Sequence, residues 1–80
     1  MDKNQIYLHL NEIFRDVLDN NDIVLNAHIT ANDIEEWDSL AHIHLVVAIE
    51  RFFKIRFSSK EIQNWDNLGE LVECIHLKCN

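Results

Sequence analysis

The residues with the widest chemical reach lie together near the middle of the chain: Asp38, Ser39 and His42. A carboxylate, a hydroxyl and an imidazole are the parts of a small serine hydrolase, and Ser39 and His42, three apart, would share one face of a helix. Nucleophilic catalysis asks for more. The base must reach the hydroxyl, a third group must orient the base, and donors must await an oxyanion. No Gly-x-Ser-x-Gly elbow surrounds Ser39, and His42 reads as a solvated helix residue. The plainer role of Asp38-Ser39 is a helix N-cap, because either side chain can accept from the free N–H groups of a first turn.

A second set of candidates could bind metal: His28, His42, His44, His76, Cys74 and Cys79. His42 and His44 are two apart and diverge on a helix, and no Cys-x-x-Cys or His-Glu-x-x-His spacing occurs. These histidines read as scattered surface residues. Cys74 and Cys79 lie five apart on or just past a helix, an awkward disulfide, so a reduced pair and a half-buried Cys74 are expected.

The elements that must position Ser39 follow from periodicity. Ile6, Leu10, Ile13, Phe14 and Val17 form an amphipathic stripe, which predicts a helix from about Asn4 to Leu18. Asp19-Asn20-Asn21-Asp22 closes it with turn residues. Residues 19–37 show no period and predict a long loop, tacked to the core by Ile23, Leu25, Ile29 and Ile34. Loops of this length in small domains are often functional, and this one leads to residue 38.

Asp38 or Ser39 begins a second helix, with Ile43, Val46, Ile49 and Phe53 as its buried stripe, Leu40 and Leu45 alongside, and Lys54 at its end. Ser58 and Glu61 make a capping box for a short third helix through about Asn64. Leu68, Leu71, Val72 and Ile75 mark the last helix. Trp37 and Trp65 each precede a helix start and read as structural staples. The fold class is therefore all-α, a bundle of three longer helices and one short one, over residues 1–80 as a single domain.

Composition narrows the function. Eighty residues bury a thin core, which disfavours an enclosed catalytic cleft. The net charge of -7 argues against a nucleic-acid or anionic-membrane partner. Residues 1–38 hold nine acids and two bases, while residues 39–80 hold five of each, so the acidic excess would suit a basic partner. No run approaches the roughly 20 apolar residues of a membrane span, and no apolar signal segment opens the chain. A cytoplasmic monomer is expected.

Two stretches make a resemblance specific: Trp37-Asp38-Ser39-Leu40-Ala41-His42-Ile43 and Ala48-Ile49-Glu50-Arg51-Phe52-Phe53-Lys54-Ile55, supported by Trp65-Asp66-Asn67-Leu68-Gly69-Glu70-Leu71-Val72. Over nearly its whole length the chain resembles the acyl carrier proteins, the four-helix carriers of phosphopantetheine. The resemblance implies a non-catalytic carrier. A phosphopantetheinyl transferase would attach 4'-phosphopantetheine from coenzyme A to Ser39, within Asp38-Ser39-Leu40. Acyl groups would ride as thioesters on that arm between acyl-loading and acyl-transfer enzymes of fatty-acid, polyketide, peptide or surface-glycan biosynthesis. A phosphodiester there would meet the positive end of a helix dipole. The alternatives are an unmodified helical interaction domain and the small hydrolase.

Departures from the family matter as well. The family's second helix is commonly acidic, whereas here it carries Ala41, His42, His44 and Arg51. Docking is therefore expected to rest on Glu35, Glu36 and Val47, with Glu50 as a remaining acid. Lys54 replaces a common glycine, so the turn there is expected to differ. A sheltered acyl chain would lie among Ile43, Val46, Ile49, Leu68 and Leu71.

Overall fold

Each helix begins where a polar group can occupy its first N–H groups. The computed structural model describes residues 2–79, in the order α1 (Lys3–Val17), α2 (Ser39–Phe53), α3 (Ser59–Gln63) and α4 (Leu68–Cys79), with one 3-10 turn at Ala31–Asp33. Among the described residues there is no strand. α1 starts one residue before the expected point because Asp2 and Gln5 form a reciprocal capping box, at 2.9 and 3.1 Å. α3 opens on the expected box, with Ser58 and Glu61 exchanging bonds of 3.1 and 2.8 Å.

α2 and α4 both pack on α1. Their common interior holds Ile6, Leu10 and Phe14 of α1, Leu45 and Ile49 of α2, and Leu68, Leu71, Val72 and Ile75 of α4. Removal of this apolar surface from water is the main term holding so small a domain together. The expected stripe of α2 needs correction: Leu45 is buried, while Leu40 and Ile43 are 63% and 59% exposed. α2 is apolar on more than one side, so period alone does not fix which side faces inward. The seat against α1 decides it, and the remaining apolar residues are left outside.

The long loop between α1 and α2 is held at three places. Arg15 Nε donates to the carbonyl of Ile23 at 2.7 Å, and Asn11 Oδ1 accepts from Leu25 N at 2.9 Å. Ile23 and Leu25 are buried beside these bonds. Further on, the carbonyls of Ile29 and Ala27 accept from Leu68 N and Gly69 N, at 2.8 and 3.0 Å, and so occupy the first donors of α4. A Cβ on Gly69 would stand 3.1 Å from both Ala27 Cβ and Ala27 O. The close approach leaves little room for a side chain at this position. The 3-10 turn was not expected; Thr30 N and Oγ1 bond Asp33 Oδ2 at 2.9 and 3.2 Å, and that three-residue spacing was its only signal.

α2 ends at Lys54, whose φ of 58° and ψ of 47° are left-handed. Lys54 N and Ile55 N both donate to the carbonyl of Glu50. The lysine thus adopts the conformation glycine usually supplies after a helix.

Candidate functional site

Ser39 is the first residue of α2 and is exposed. Asp38 caps the helix: Oδ1 accepts from Ala41 N at 2.8 Å, and its carbonyl accepts from His42 N at 2.9 Å. The N–H groups of Ser39 and Leu40 have no intrahelical partner at this position. They give the Ser39 hydroxyl an environment of positive potential. Leu40 stands beside it, exposed.

Trp37 and His42 form the wall. Trp37 packs edge-on against Phe14, with centroids 5.1 Å apart, which pins the end of the loop to α1. Its Nε1 donates to His42 Nδ1 at 3.1 Å. The neutral His42 ring therefore carries its proton on Nε2. His42 also lies 6.3 Å from Trp65, which meets Phe57 edge-on at 4.8 Å. His42 is half-buried in this aromatic row, which corrects the expectation of a solvated residue. Burial lowers its pKa below the ordinary 6.5.

The hydrolase arrangement is not assembled. The Asp38 carboxylate is engaged by a backbone N–H, and it is Trp37 that orients His42. Among the described residues, no three His, Cys, Asp or Glu side chains converge on a metal position. Cys74 and Cys79 are free thiols. Burial, then the neighbouring Glu61 carboxylate, raise the Cys74 pKa.

A cleft of about 350 Å³ adjoins the serine, lined by Ala31, Trp37, Asp38, Ser39 and His42. A smaller cavity of about 70 Å³ shares Ala31, Trp37 and His42 and extends to Trp65 and Leu71. Val46, Ile49, Leu68 and Leu71 are packed shut, and Ile43 lies outside. Of these five, only Leu71 borders that cavity. The sequence reading missed Trp37 and His42 as walls of the site; the signal was Trp37 preceding Ser39 and His42 following it by one turn.

The acids expected to dock partners lie close by. Glu35 and Glu36 are exposed and line a depression of about 390 Å³ with Asp22 and Asp33. Glu36 Oε2 accepts from Asn20 Nδ2 at 3.0 Å. Val47 is 41% exposed on α2. Glu50 is half-buried, with Oε2 on Phe57 N at 2.9 Å, so one of its oxygens serves the α2–α3 connection.

An exposed serine at the head of a helix, beside an aromatic-walled cleft and without a catalytic base, suits a covalent carrier better than a catalyst. The family model described as a phosphopantetheine attachment site matches residues 9–75. The chain therefore belongs to the phosphopantetheine-attachment family of carrier proteins. It also resembles the holo acyl carrier protein of Geobacter metallireducens, solved by solution NMR, with 42% sequence identity and a TM-score of 0.86. The likeness covers 90% of this chain and 83% of that one. No curated protein matches the chain. Its function is that of an acyl carrier protein, a carrier and not an enzyme, and its cofactor is covalent 4'-phosphopantetheine.

Proposed function

We propose that Ser39 is the attachment point, and that residues 1–80 act as one carrier domain. The observation that carries this is the exposed Ser39 hydroxyl at the first position of α2, open to a cleft of about 350 Å³. The fit is good for an anionic ester. Ser39 N and Leu40 N lie free of the helix ladder, and the dipole favours negative charge there. Asp38 fixes the first turn by capping Ala41 N, which holds the serine at a constant angle. Leu40, 63% exposed, offers an apolar contact next to the site. Trp37 and His42 give the cleft a rigid wall against which an attached chain can lie.

The cofactor supplies a terminal thiol that holds an acyl group as a thioester. The chain's own residues present the arm, and they perform no chemistry on it. A phosphopantetheinyl transferase installs the group, and acyl-loading and acyl-transfer enzymes then visit it. In this reading Glu35, Glu36 and Val47 contact those partners, with the second oxygen of Glu50 as a lesser contributor. The chain works as a monomer in the cytoplasm, within fatty-acid, polyketide, peptide or surface-glycan synthesis. No described helix is long and apolar enough to cross a membrane.

Intact-mass spectrometry tests the attachment. After incubation with coenzyme A and a phosphopantetheinyl transferase, the wild type gains one arm and Ser39→Ala gains none. An arm on Ser39→Ala, or a bare wild type, removes the proposal.

A further inference from the structure

Leu40, Ile43, Val47, Arg51 and Lys54 succeed one another at three- or four-residue intervals along α2, so they lie on one face. All five are exposed. The buried residues of the helix, Leu45, Val46 and Ile49, face inward. α2 is fifteen residues long, so this unpartnered face runs about 22 Å.

Its two ends differ in sign. Exposed Glu35, Glu36 and Asp38 stand at the Ser39 end. Exposed Arg51, Lys54 and Arg56 stand at the other, holding three of the chain's seven Lys and Arg within six positions. Of the other four bases, Lys3 pairs with Glu73, Lys78 pairs with Glu61 at 3.1 Å and Arg15 bonds the carbonyl of Ile23, while Lys60 stands exposed on α3. Arg51, Lys54 and Arg56 make no ion pair with any described carboxylate. Glu50, the acid among them, is turned to Phe57 N. Together with Val47 and Ile55 these residues line an open groove of about 540 Å³.

We infer that the basic end of α2, Arg51, Lys54 and Arg56, meets carboxylates on the acyl-handling enzyme, a contact of opposite sign to the one Glu35 and Glu36 make beside Ser39. The inference rests on the carrier role of Ser39 set out above. An apolar socket on that enzyme covers Leu40, Ile43 and Val47, and cations on it meet Glu35 and Glu36. Opposite signs at the two ends fix the direction of docking, because a reversed enzyme would set like charges together at both ends. The arm at Ser39 is thereby delivered from one end only.

The test places the photo-cross-linker p-benzoylphenylalanine at Val47 of the holo protein in its own cells, identifies the captured enzyme, and purifies it. Its binding is then compared for holo wild type and holo R51Q/K54Q/R56Q, with R51E/K54E/R56E as a harsher variant. Circular dichroism and arm attachment measured by intact mass serve as checks on folding. The neutral variant is expected to bind about tenfold more weakly at low salt, with the gap closing as ionic strength rises. Changing the enzyme's cross-linked acids to Lys should restore binding to the triple Glu variant. Affinities within about twofold of one another, a basic cross-linked face, capture only of a second copy of this chain, or no capture overturn the inference while arm attachment stands. A wild type that gains no arm overturns the carrier reading itself, and this inference with it.

Discussion

Trp37 donates its indole N–H to His42 Nδ1 across 3.1 Å, and the two rings stack with centroids 6.0 Å apart. The bond joins the last aromatic residue of the loop to the first full turn of α2. It also requires His42 to be neutral, since a protonated imidazole has no lone pair to accept with.

The protonation of His42 is therefore tied to folding. Burial lowers its pKa from 6.5 in the folded chain. An unfolded chain binds that proton more readily, so this contribution is complete above about pH 6.5 and declines as the pH falls below it. NMR titration of the His42 ring should give a midpoint below 6.5, and Trp37→Phe should move it upward while costing about 1 kcal/mol of stability. A wild-type midpoint at or above 6.5 would contradict the geometry.

Glu61 makes the opposite kind of link. Its pKa is lowered from 4.5 to about 2, first by the Ser58 backbone N–H and then by Lys78. A carboxylate depressed by folding stabilises the chain above its unfolded pKa, and that support is lost as the pH falls from about 4.5 through about 2. Glu61→Gln should lower the thermal midpoint at pH 7. Its deficit should shrink towards pH 2; a constant deficit across that range would exclude the linkage.

Gly69→Ala should destabilise the chain, although alanine normally favours a helix. The added methyl meets Ala27 Cβ and O at 3.1 Å, and relief requires the loop to move off α4. A loss of about 1–2 kcal/mol in urea unfolding is expected, and a gain in stability would refute the close approach.

Lys54→Gly should act the other way. Removing the side chain from a left-handed residue relieves about 1 kcal/mol of strain, so the urea midpoint should rise. A fall in midpoint would mean that the Lys54 side chain holds the α2 terminus.

Much of this arrangement was legible in the sequence, because the signals were local. The capping box of Ser58 and Glu61, the stripe of α1, and the stop at Lys54 each depend on residues within a turn or two. The start of α2 was legible for the same reason, its Asp38 cap being adjacent to Ser39, whereas the role expected of Ser39 came from the family resemblance. What escaped depended on distant partners. The inward side of α2 is chosen by α1, so Leu40 and Ile43 lie outside where a stripe had placed them within. His42 is half-buried because Trp37 and Trp65 arrive from two separate segments. No period in α2 carries that information.

The loop from α1 to α2 would ordinarily be the natural place to splice in a tag or an extra segment, since exposed connections tolerate added length. Here its carbonyls at Ala27 and Ile29 close the start of α4, and the same strand of chain goes on to deliver Trp37 to His42. Lengthening it within residues 26–30 would loosen the C-terminal helix and the wall beside Ser39 in one stroke. Amide exchange in α4 and around Ser39 should accordingly rise together, as parts of one cooperative unit.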